Sequence, residues 1–158
     1  MGWLIKALIF IIILLLVTTV GVFSLGDKNL PASVLGGLDK SSPGNWVNEN
    51  QIKVYKDKII LDISDATWAS FANTKSMDPV FDADANAIEI LPEDPQSINV
   101  GDVISYRTSY GTLIHRVVEK GIDEQGVYYY VKGDNSSLRD PFKIRYGDVK
   151  GVVVAIIY

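Results

Sequence analysis

The sequence predicts a mainly β protein: an antiparallel sheet domain carried behind one N-terminal membrane-spanning helix. Three observations predict it. The run from Trp3 to Leu25 is apolar except for Lys6 and a few small polar residues. From residue 51 onward, short runs rich in Val, Ile and Tyr recur about every ten residues between Gly, Pro, Asn and Asp, which is strand-and-turn spacing. No stretch after the apolar run keeps helical periodicity for three turns.

Each element follows in chain order. About 20 apolar residues cross a hydrocarbon core of roughly 30 Å, so residues 1–25 are expected to be a transmembrane anchor. A secretory signal peptide is the competing reading, but its apolar stretch is about 7–15 residues and ends in a small-x-small site. Only Ser24-Leu25-Gly26 imitates such a site here. Lys6 and the free amino terminus precede the span, which points to a single-pass protein with a cytoplasmic N-terminus and its domain on the extracytoplasmic side. Residues 26–50 turn to Gly, Ser, Pro and Asn and read as a linker lying over the surface. Residues 51–158 then form the β domain, with strands expected at 52–55, 58–63, 87–90, 103–106, 113–118, 127–131 and 149–157. The segment 123–126 closes a hairpin. The segment 66–71 reads as a short helix at most.

Charge and composition exclude several function classes. After the span, 14 basic residues are outnumbered by 19 acidic ones, with no basic cluster of the kind a nucleic-acid partner requires. There is no cysteine, so disulfides, thiol nucleophiles and zinc-thiolate sites are ruled out. With one histidine there is no multi-histidine metal site, and no cofactor is expected.

Three segments carry chemistry. In Thr74-Lys75-Ser76-Met77-Asp78-Pro79, a polar break follows an apolar run, and the proline holds Ser76 in a turn. An ordinary surface turn has the same pattern. His115 lies inside a strand-like run, on the face shared with Leu113 and Val117. It is the one side chain whose ordinary pKa suits proton transfer near neutral pH, although a buried structural histidine looks alike in sequence. The stretch from Lys132 to Pro141 is turn-rich and offers two carboxylates, Asp134 and Asp140, able to accept a histidine N–H. A hydroxyl nucleophile needs a base, and the base needs an orienting acceptor, and this chain holds one set of residues able to supply all three.

The order of these segments is more specific than its parts. Ser76-Met77-Asp78-Pro79, then Gly101-Asp102-Val103-Ile104, then Ile114-His115-Arg116-Val117-Val118, then Lys132-Gly133-Asp134-Asn135 with Asp140 beyond it, then a last strand with Gly151-Val152-Val153, resembles type I signal peptidases. The branch it resembles is that of archaea and the endoplasmic reticulum, which has His where the common bacterial enzymes use a Lys base. The resemblance covers residues 68–157 and the anchor before them. It implies a signal-peptidase-like fold of coiled antiparallel β-sheets and a serine endopeptidase, a protease that removes signal peptides during protein secretion through an acyl-enzyme. Ser76 is then the nucleophile, His115 the general base, and Asp140 the first choice for the third member. Asp134 is the supporting acid, and the two acids could exchange roles. The oxyanion hole would be the Ser76 N–H with the Thr74 hydroxyl. The implied partners are signal-peptide-bearing precursor proteins, the lipid bilayer and the translocation machinery.

Some features depart from the family pattern. Lys75 stands where a small Gly or Ser is usual and is a rival base, although neighbours on an extended chain point to opposite sides. The family's Gly-Asp soon after the Met-x-Pro turn is replaced by Phe81-Asp82-Ala83-Asp84-Ala85-Asn86. Asn135-Ser136-Ser137 fits the N-glycosylation pattern, but its place in the candidate active-site turn argues that it stays unmodified. A second class of function is a catalytically silent relative that binds exported proteins or a translocation partner.

Overall fold

The computed structural model describes Trp3, Lys6 and residues 40–158. The chain divides into two compact units, Met1–Lys40 and Ser41–Tyr158. Trp3 and Lys6 are helical, and the rest of the expected anchor, with most of the expected linker, lies outside the described residues. Among the described residues no helix is long and apolar enough to cross a membrane.

The second unit is mainly β and antiparallel throughout. Its strands are β1 (Ile52–Val54), β2 (Ile59–Leu61), β3 (Thr67–Ser70), β4 (Asn86–Ile90), β5 (Val103–Thr108), β6 (Gly111–Asp123), β7 (Gly126–Lys132), β8 (Ile144–Arg145) and β9 (Val149–Ile157). β1 and β2 form a separate two-stranded hairpin, and the other seven make one sheet in the order β3-β4-β9-β5-β6-β7-β8. The turn at 123–126 closes the β6–β7 hairpin as its Asp and Gly predict. The Asp123 side chain accepts from the Gln125 N–H at 3.0 Å, and Gly126 takes φ +97°.

The segment 66–71 is strand β3, not a helix. Thr67 and Trp68 are β-favouring, and every residue from Thr67 to Ser70 pairs with β4, so tertiary pairing decides a segment too short to show its period.

Alternation along the central strands gives the sheet two apolar faces. Ile104 and Tyr106 of β5, Val117 of β6, Val131 of β7 and Val152 of β9 belong to one core cluster. Val103 of β5, Val153 of β9 and Ala87 of β4 belong to the other, with Met77, Phe81 and Ala85 from the β3–β4 connection. His115 therefore lies in a sheet covered on both sides. Its neighbours Leu113 and Val117 turn to the first cluster and Ile114 to the second.

Residues just before β1 are tied down at one buried carboxylate. Asp102 is fully buried and accepts from the Gly44 N–H at 2.7 Å and the Trp46 indole at 3.0 Å through Oδ1, and from the Asn99 N–H at 2.8 Å through Oδ2. Trp46 packs against the first core cluster.

Asp102→Ala leaves three donors without their charged acceptor and is expected to cost roughly 2–4 kcal/mol in a denaturant titration of the solubilised chain. Trp46→Phe removes one of the three and should cost less than half as much in the same titration.

Candidate active site

The site lies where the β3–β4 connection, β6 and the loop after β7 meet. A groove of about 230 Å³ is lined by Ala69, Ser70, Phe71, Thr74, Ser76, Met77 and Phe81 on one side and by Thr112, Leu113, Ile114 and His115 on the other. Phe71 stacks on Phe81 with ring centroids 4.3 Å apart, which makes one wall flat and apolar. Trp68 is 63% exposed and does not line the groove.

The serine loop is pinned from both sides. The Asp82 carboxylate accepts from the N–H groups of Thr74 at 3.3 Å and Lys75 at 3.2 Å. From the other side Asn135 donates its backbone N–H to the Ser76 carbonyl at 2.9 Å and its side-chain amide to the Lys75 carbonyl at 3.0 Å. The Asn135 amide is thus engaged by the serine loop. Lys75 takes φ +56°, a left-handed turn where Gly is more at ease than Lys, so the extended geometry expected for this pair of neighbours does not hold. Thr74 Oγ1 lies 3.0 Å from Ser76 Oγ and 3.4 Å from the Ser76 N–H. Among the described residues no hydrogen bond joins Ser76 to His115.

Gly133 separates the two. A Cβ there would lie 2.7 Å from the Ser76 carbonyl oxygen and 3.1 Å from His115 Nε2, so the serine loop and the imidazole approach this closely because the position lacks a side chain.

The two carboxylates have different partners. Asp140 lies 3.2 Å from His115 Nδ1 through either oxygen, with both side chains largely buried. Asp134 instead grips Arg116 in a bidentate pair, Nε to Oδ1 at 2.8 Å and a terminal nitrogen to Oδ2 at 2.7 Å, nearly out of solvent. The same guanidinium donates to the Gly101 carbonyl at 2.8 Å.

Two residues that sequence reasoning missed join this site. The Tyr106 hydroxyl donates to Asp140 Oδ2 and lies 3.0 Å from His115 Nδ1. Burial first, and the Asp140 hydrogen bond and charge second, push its pKa upward, so it stays a neutral hydroxyl. Its single proton goes to the carboxylate, so its oxygen accepts from His115 Nδ1–H. That assignment puts the imidazole proton on Nδ1 and leaves Nε2 bare beside Gly133. The second is Glu89 of β4, 4% exposed, whose Oε2 accepts from Ser105 Oγ at 2.8 Å and whose Oε1 has no partner among the described residues. Burial raises its pKa against the opposing pull of Ser105. The available signal was an acid inside the apolar run Ala87-Ile88-Glu89-Ile90.

Scans of the chain against models of known protein families, against curated proteins and against solved structures found no match.

Asp134→Asn leaves the Arg116 guanidinium buried without its counter-charge and is expected to destabilise the protein by about 3–5 kcal/mol, read as a lower melting temperature. Asp140→Asn should lower it far less. Glu89 has a raised folded pKa, so stability is fullest below the ordinary carboxylate range and falls as pH rises above it, because the unfolded chain ionises first. Glu89→Gln should remove that fall, seen as a melting-temperature difference from the parent that widens from pH 4 to pH 7.

Proposed function

We propose that this protein is a membrane-anchored serine endopeptidase of the signal-peptidase type, cutting signal-peptide-bearing precursors at the outer face of the membrane. One observation carries the reading: Ser76 and His115 line a single groove, with Asp140 and Tyr106 on the far nitrogen of the same imidazole.

In this mechanism His115 Nε2 takes the Ser76 hydroxyl proton as Oγ attacks the scissile carbonyl, and the imidazolium is held by Asp140 through Nδ1–H. Collapse of the tetrahedral intermediate returns that proton to the leaving amine. Water then attacks the acyl-enzyme by the same route in reverse order. The developing oxyanion takes the Ser76 N–H and the Thr74 hydroxyl, which already sit together; one such donor is worth roughly 10²–10³ in rate. Substrate addition is supported by two free strand edges at the groove. Among the described residues β3 ends the sheet and pairs only with β4, and β6 from Gly111 to His115 pairs only with β5. An extended peptide laid between them would be held by backbone hydrogen bonds.

A second reading, a silent relative that holds precursors without cutting them, is favoured by the Ser76 hydroxyl bonding to Thr74 instead of to His115. Nucleophile and base often draw together only when substrate binds.

Incubating the detergent-solubilised full chain with a precursor and weighing the products separates the two. Ser76→Ala and His115→Ala should each cut turnover on the order of 10³-fold or more, and the double variant should be no slower, because the two act as a unit. A His115→Ala chain that kept more than about a tenth of the rate would remove His115 as base and make Lys75 the next candidate. Precursor that binds the unmutated chain and stays whole would establish the silent reading.

A further inference from the structure

Residues 41–46, ahead of β1, lie in no helix or strand, and residues 41–45 are exposed. They are nevertheless held on the turn before β5. The Gly44 N–H and the Trp46 indole both donate to Asp102 Oδ1, at 2.7 and 3.0 Å. At Gly101 φ is +104°, and a Cβ would stand 2.1 Å from the Ser42 carbonyl oxygen, so the chain lies on this turn because the position has no side chain. The Ser41 carbonyl accepts from Arg116 Nη1 at 3.4 Å.

That guanidinium is the joint between distant parts. Nη1 also donates to the Gly101 carbonyl at 2.8 Å, while Nε and Nη2 hold Asp134. The turn is bonded to the residue after Arg116 as well: the Gly101 N–H donates to the Val117 carbonyl at 2.9 Å, and the Val117 N–H to the Asp102 carbonyl at 2.8 Å. The Arg116 and Asp134 side chains are only 9% and 3% exposed. An ion pair kept from water holds its geometry firmly, and one opened to water is worth little.

What the pair holds is the loop after β7. Asp134 stands between Gly133, where a Cβ would meet the Ser76 carbonyl and His115 Nε2, and Asn135, which bonds the Lys75 and Ser76 carbonyls. The Asp140 N–H is fixed separately, on the Val131 carbonyl at 2.8 Å. Release of residues 41–46 therefore loosens the loop at 133–135 and leaves in place the acid that meets the imidazole. It leaves the sheet whole too, since among the described residues this segment belongs to no sheet. Irregular segments held by few hydrogen bonds open before a core does.

We propose that residues 41–46 are a positioning strap that switches the site, a role that rests on the peptidase reading for its effect on turnover. Docked, the strap keeps the Ser76 loop and His115 in register through Arg116. Released, it leaves a folded domain with slow turnover, so tension on the chain ahead of β1 slows the enzyme without unfolding it.

The test uses the full chain in detergent. Gly44→Pro removes one strap donor to Asp102, and Trp46→Phe removes the other while keeping a ring, so either can be read if the other fails to fold. Gly44→Ala keeps the N–H and sets its Cβ at an ordinary 3.4 Å from Asp102 Oδ1. Ile144→Val, a core substitution in β8 outside these contacts, supplies a destabilised comparison. Amide exchange is followed by mass spectrometry at Asn135, whose N–H bonds the Ser76 carbonyl, and along β9. Gly44→Pro and Trp46→Phe should each speed exchange at Asn135 about ten-fold and leave β9 unchanged. Each should lower kcat on a precursor roughly 10- to 100-fold with KM within about two-fold. Gly44→Ala should do neither, and Ile144→Val should lower the melting temperature without singling out Asn135. Unchanged exchange at Asn135 in the strap variants overturns the proposal, as does exchange that rises equally along β9, or a kcat that holds while the loop loosens. Selective loosening in a chain whose parent cuts no precursor supports the strap and sinks the peptidase reading alone.

Discussion

The buried Arg116–Asp134 pair is the constraint on which the rest of the site depends. Arg116 follows His115 on β6, and Asp134 stands between Gly133 and Asn135 in the loop after β7. Joining the two fixes that loop against the strand. Gly133 is thereby set between the Ser76 carbonyl and His115 Nε2, and Asn135 reaches the carbonyls of Lys75 and Ser76. Desolvation offsets much of the Coulomb attraction of such a pair, so its worth lies in the register it imposes more than in net stability. Asp102 anchors the residues before β1 to the turn that precedes β5, and the Gly101 carbonyl is tied to the same guanidinium.

On that frame the imidazole is controlled from its far side. Asp140 and Tyr106 together engage Nδ1, and because the tyrosine stays neutral and gives its proton to the carboxylate, the ring has one sensible tautomer. An Nε2 with no hydrogen-bond partner among the described residues is what a general base requires. The positive φ of Lys75 has a local explanation in the same frame. Its left-handed backbone is held by Asp82 and Asn135, so a residue other than Gly can be strained into place there by three hydrogen bonds.

Much of the fold was legible in the residues themselves. Runs of Val, Ile and Tyr between Gly, Asp and Asn mark strands because β-branched and aromatic side chains suit a pleated surface, and Asp123 with Gly126 marks the β6–β7 turn through side-chain capping and positive φ. The segment 66–71 was not legible, since four residues carry too little periodicity to tell a strand from a turn of helix. Its pairing with β4 is a long-range contact.

The candidate site divides in the same way. By itself the sequence determined the available chemistry: one histidine, no thiol, a serine in a proline-bounded turn and two acids in a later loop. Which acid meets the imidazole is a tertiary matter, because Asp134 and Asp140 leave the same loop and only the position of Arg116 draws one of them away. Tyr106 and Glu89 enter through strand register alone. Tyr106 reaches His115 because β5 and β6 are neighbours, and Glu89 reaches Ser105 because β9 presents a glycine between them. Contacts of this kind join residues distant in the chain, and they depend on pairing order and bulges that local propensity does not encode.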